Sequence, residues 1–251
     1  MTSAATDALA LCAEGFGSWA FSFGVPLHEP AEPLRVILFS RHEDFLAFAR
    51  DEDGIDASWM GGYYAALSNR VVLYDDADSP EYRALLARCP GDQAGRALRE
   101  SVLADALRAT SRKTLHEVVH LLSFNTGLQT REAEYPMWLT EGLAEAFVAE
   151  ALGADEAGHG GGRVATSELL ALGCSGGLHR ADFHDLYEQS RGLVASLRAH
   201  APERLGRCLV AFREAPSGAD PIALAERSLG PWRTWAGVGE PVYAGASTDE
   251  P

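Results

Sequence analysis

The stretch Thr114-Leu115-His116-Glu117-Val118-Val119-His120-Leu121-Leu122 constrains this chain more than any other. It reads His-Glu-x-x-His inside an apolar run. On a helix of 3.6 residues per turn, His116 and His120 lie one turn apart on the same face. Two imidazoles so placed can grip one metal ion, and Glu117, next round the helix, can reach a water on that metal. Leu115, Val119 and Leu122 supply the apolar face on which such a helix is buried.

Beyond a loop with Gly127 and Pro136, Trp138-Leu139-Thr140-Glu141-Gly142-Leu143-Ala144-Glu145 reads as the start of a second helix. Together the two blocks resemble the peptidase MA-like gluzincins, zinc peptidases whose third ligand is a glutamate on a second helix. They are also similar to a related family of unknown function that carries the same two blocks. The resemblance implies that His116, His120 and Glu141 hold one Zn²⁺ per chain and that Glu117 is the catalytic base. It further suggests Glu145, one turn after Glu141, as an acid that orients a ligand histidine. A metzincin would need a third histidine six residues after His120, where Thr126 stands. Tyr187 lies in Leu186-Tyr187-Glu188-Gln189-Ser190, similar to a Tyr-x-Gln-Ser block that follows the third ligand in these families. The resemblance gives it an oxyanion-holding role, but Tyr187 borders an apolar face and reads equally well as a core tyrosine.

The fold implied is α+β and mainly helical: a zincin-like core with a small N-terminal sheet and a helical C-terminal part. One domain over residues 1–251 is expected, with a small β-containing lobe at about 34–80 and a helical zinc-binding and C-terminal part at about 95–236. The activity implied is hydrolysis of a peptide or protein substrate through a zinc-activated water. A catalytically silent zinc-binding fold, acting as a binding or structural protein, is the alternative.

The residues place further elements. Residues 3 to about 22 suit a helix, and Pro26, Pro30 and Pro33 an extended link. Arg35–Phe39 is rich in β-formers, and Glu43–Arg50 suits a helix. Gly62–Leu67 and Arg70–Tyr74 flank Ser68-Asn69 as a hairpin. From Glu81 the pattern turns helical, with Leu98, Val102 and Ala106 recurring every four residues, as do Leu103 and Leu107. Helices are expected again over Trp138–Leu152, Asp182–His200, around Leu205–Phe212 and over Ile222–Leu229.

A serine-hydrolase reading competes. Gly173-Cys174-Ser175-Gly176-Gly177 matches G-x-S-x-G, His159-Gly160-Gly161-Gly162 resembles an oxyanion loop, and Asp182 and His184 follow. A nucleophile elbow needs a strand before the serine and a helix after it. Here a helix over Ser167–Leu172 is expected before it and glycines follow, so the segment reads as a glycine-rich loop. His179, His184 and His200 read as surface or capping residues.

Composition sets outer limits. A net charge of −15 argues against nucleic acid and anionic membranes as partners. No run approaches the ~20 apolar residues of a membrane span. Neither a basic start nor a long apolar stretch precedes Cys12, so no signal peptide is read and a cytoplasmic protein is expected. Cys12, Cys89, Cys174 and Cys208 form no C-x-x-C pair and read as free thiols.

Overall fold

The structure, a computed structural model, describes residues 3–153, 169–170 and 183–231. In chain order the described elements are α1 (Ser3–Phe21), β1 (Arg35–Phe39), α2 (His42–Glu52), β2 (Gly62–Ala65), β3 (Arg70–Tyr74), α3 (Pro80–Ala87), α4 (Gln93–Asn125), α5 (Met137–Ala151), α6 (Phe183–His200), α7 (Pro202–Arg213) and α8 (Pro221–Leu229). The fold is α+β and mainly helical, with one three-stranded sheet. Contacts divide the chain into two units, Met1–Glu132 with Phe147–Ala154, and Ala133–Ala146 with Asp155–Pro251. The chain passes between units within α5.

In the first unit the sheet runs β1-β3-β2, with β3 parallel to β1 and antiparallel to β2. β3 is the central strand, and Val71, Val72, Leu73 and Tyr74 are all buried, as befits a continuous β-branched and apolar run covered on both faces. One face carries Tyr63, Ala65, Val72 and Tyr74 against Phe45 and Ala49 of α2. On the other face Tyr64 stacks on Phe124 of α4, with ring centroids 5.6 Å apart. The connection from Ala65 to Arg70 is four residues long, so β2 stops two residues short of the expected Leu67. Asn69 adopts φ +48°, a left-handed conformation that asparagine tolerates.

Helix α4 is a single 33-residue helix rather than a succession of shorter ones. Asp92 caps its start by accepting from the Gly95 amide at 2.8 Å. At its end the Thr126 amide and hydroxyl both donate to the Leu122 carbonyl, and Gly127 turns the chain at φ +87°. Of the expected apolar stripes, Val102 and Ala106 are buried, but Leu98 and Leu107 are exposed. Helix α1 packs along α4 with Ala4, Ala8, Cys12 and Phe16, residues at helical spacing whose small members let the backbones approach. The Cys12 thiol donates to the Leu115 carbonyl at 3.9 Å, and the Ser111 hydroxyl to the Ala4 carbonyl at 3.3 Å. Phe147, at the far end of α5, meets Trp19 and Phe16 edge-on.

In the second unit the start of α5 packs on α6 at Gly142, where an added Cβ would lie 2.6 Å from the Ser190 carbonyl oxygen. Leu205, Cys208, Leu209 and Phe212 are the buried face of α7, as their spacing predicts. Tyr135 rests against Phe212, and Ser217 donates to Glu134 at 3.0 Å. Among the described residues no helix is long and apolar enough to cross a membrane, and Cys12, Cys89 and Cys208 are free thiols. His159, Cys174, Ser175, His179 and Asp182 lie outside the described residues, as does the expected Ser167–Leu172 helix except for Leu169 and Leu170, which are helical and buried.

Candidate metal centre

Residues 114–124 sit where α4 is most deeply covered, between α1 and the sheet. His116 and His120 are 9% and 7% exposed. Their rings meet edge-on with centroids 4.8 Å apart, and the two Nε2 atoms are 3.1 Å apart. Both imidazoles therefore aim the same nitrogen at one small volume. One ligand atom from each of His116, His120 and Glu141 lies within 4.8 Å of the other two. Glu141 is half-buried in the second turn of α5.

The donor set can be tested against the ion. Tetrahedral zinc with Zn–N bonds of about 2.0–2.1 Å separates two ligand nitrogens by about 3.3 Å. The observed 3.1 Å is close to that spacing. Two imidazoles and one carboxylate are the donor types of a catalytic zinc site that keeps a fourth position open.

The other expected residues are placed as follows. Glu117 is half-buried on α4, between the two histidines in sequence. Glu145 is buried one turn beyond Glu141 on α5. Tyr187 is half-buried on α6, in the helix whose Ser190 and Val194 contact Gly142. His200 is exposed at the end of α6, where its Nδ1 meets the Ser196 carbonyl at 2.9 Å. His184 begins the same helix, and its side chain lies outside the described residues.

Two polar clamps on the sheet bracket this segment of α4. At its C-terminal end the Asn69 and Asn125 amides exchange two hydrogen bonds of 2.8 Å, fixing the β2–β3 turn to the helix. At its N-terminal end Asp76, just after β3, is held three ways. Its amide donates to Thr110 Oγ1 at 3.0 Å, the Thr110 hydroxyl donates to its Oδ2 at 3.0 Å, and Lys113 Nζ lies 2.8 Å from the same oxygen. Lys113 Nζ also sits 3.5 Å from the centroid of the Tyr74 ring. Burial pushes the Lys113 ammonium below the usual lysine range, while the charges of Asp76, Asp75 and Glu117 push it back up. Burial likewise raises the Asp76 carboxyl, against Lys113 and Thr110. The sequence reading missed this cluster. Its one local trace is a lysine four residues before Glu117.

The family model described as a protein of unknown function (DUF1570) matches residues 110–182. The matched stretch takes in Thr110, Lys113, the His-Glu-x-x-His segment and the Trp138–Glu145 block. No curated protein and no solved structure matches the chain.

Proposed function

We propose that this chain is a zinc-dependent metallopeptidase of the gluzincin kind. The observation that carries the reading is the convergence of one ligand atom each from His116, His120 and Glu141 within 4.8 Å. The His-Glu-x-x-His pattern adds a carboxylate at the one position where a base is needed. Zn²⁺ bound by His116, His120 and Glu141 would lower the pKa of a water and polarise a carbonyl. Glu117 accepts the proton of the attacking water and returns it to the leaving nitrogen, so the peptide C–N bond breaks as the new C–O bond forms. Tyr187 is the candidate donor to the developing oxyanion, and Glu145 the candidate acid that orients a ligand histidine.

The test joins zinc analysis of the purified protein to cleavage of a peptide library, with Glu117→Gln as the control. The expected result is one zinc per chain in both proteins and a loss of turnover of about a hundredfold or more in the variant, the usual share of general-base catalysis. A zinc-loaded wild type that cleaves no faster than Glu117→Gln would be a zinc-binding fold without peptidase chemistry.

A further inference from the structure

From Tyr135 to Ala149 every residue is buried except Glu141, which is half-buried. Helix α5 is thus covered on all sides around its one candidate ligand, and its neighbours decide where that carboxylate sits. One of those contacts is very close. Gly142, bonded to Glu141, lies so near α6 that an added Cβ would stand 2.6 Å from the Ser190 carbonyl oxygen and 2.6 Å from Val194 Cγ2. Ser190 and Val194 are one turn apart on α6, and both are fully buried. Together they form a slot that only a bare Cα can enter. Glycine is a poor helix former, so its place inside α5 is explained by the slot and not by the helix. A methyl at residue 142 would drive α5 and α6 apart by roughly 0.5–1 Å, whereas metal–ligand distances tolerate about 0.2 Å.

We propose that Gly142 is a positioning residue for the third metal ligand: seated between Ser190 and Val194, it sets how deep α5 lies and so where the Glu141 carboxylate meets His116 and His120. The inference rests on Glu141 as a metal ligand, but not on peptidase turnover. A contact that served packing alone would change stability and leave the zinc affinity of the folded protein as it was. A contact that places the ligand changes that affinity as well.

The experiment is a zinc titration of the folded full-length protein against a chromogenic chelator, well below its unfolding transition. Gly142→Ala should raise the zinc Kd by about tenfold or more, the usual effect of disturbing what supports a ligand. Leu209→Ala is the control for lost stability, since it opens a cavity in the buried face of α7 and leaves the slot alone. Its Kd should stay within about threefold of wild type. A folded Gly142→Ala with wild-type affinity overturns the proposal. If Gly142→Ala does not fold, the slot is tested from its other side. Val194→Ala removes the Cγ2 that faces Gly142, whereas Val194→Thr keeps that shape and buries a hydroxyl; both destabilise. Only Val194→Ala should weaken zinc binding, by about threefold or more. Wild-type affinity in both overturns the proposal equally. Glu141→Ala in the same titration separates the two readings. If it binds zinc as tightly as wild type, or if wild type binds none, the ligand assignment fails and the positioning role with it. A wild type that holds zinc through Glu141, beside slot variants of unchanged affinity, removes the positioning role alone.

Discussion

At the scale of single residues, the third metal ligand is the sharpest point to test. Glu141 and Glu150 share α5, but only Glu141 lies with His116 and His120. Glu141→Ala should therefore weaken zinc binding far more than Glu150→Ala, read by competition with a chromogenic chelator. Equal affinities would point to a different third ligand. His42 gives a prediction of another kind. It is buried, flanked by Phe45 and Tyr74, and its backbone amide donates to Asp78 at 2.8 Å. Burial holds its imidazole below the usual histidine range; Arg83 and Lys113 add to that, and Asp78 and Asp76 oppose it. The unfolded chain takes up a proton near pH 6.5, and the folded chain refuses it until a lower pH. The stability from neutral His42 is thus present above that value and lost as the pH falls toward the folded pKa. Between about pH 7.5 and about pH 5.5, wild type should lose more unfolding free energy than His42→Phe, which does not titrate. Parallel losses in the two proteins would sink this assignment.

Among the elements, α5 shows how packing decides a sequence choice. A methyl on Gly142 would stand 2.6 Å from the Ser190 carbonyl oxygen and 2.6 Å from Val194 Cγ2. Backbone cannot rotate out of the way, so Gly142→Ala should destabilise by about 1–3 kcal/mol despite alanine's better helix propensity. Gly192 on α6 has nothing within 4 Å of its would-be Cβ. Gly192→Ala should stabilise by up to about 1 kcal/mol, since only propensity is in play. Denaturant unfolding of both variants checks the opposite signs. The same elements show what local pattern can and cannot convey. Strand β3 was legible because four consecutive buried residues write a continuous apolar run, and α7 because its buried face repeats at helical spacing. Leu98 and Leu107 mark the helix correctly but are exposed, because an apolar residue at the right period is buried only where another element arrives to cover it. The hairpin turn was read two residues too short, since Asn69 can turn left-handed as the last residue of a four-residue connection as well as within a two-residue one. The metal-ligand pattern of α4 was visible because both histidines lie within one turn. The Lys113–Asp76 clamp was not, because its partners are 37 positions apart and only the tertiary fold pairs them.

For the whole molecule, the metal reading carries a thermodynamic consequence that needs no substrate. Zinc that binds the folded chain and not the unfolded one must stabilise folding by RT ln(1 + [Zn]/Kd), about 2.7 kcal/mol when free zinc is a hundredfold above Kd. His116 and His120 are buried side chains of the longest helix described, and Glu141 is on another, so their relative placement depends on folding. In the unfolded chain His120 and Glu141 are 21 positions apart, and the three groups offer no preformed site. The melting temperature of the wild type should therefore climb steadily with buffered free zinc and fall on chelation. The His116→Ala/His120→Ala double variant should show no such climb, whatever its own stability. A wild-type melting temperature indifferent to zinc at neutral pH would remove the metal, and with it the chemistry proposed for Glu117.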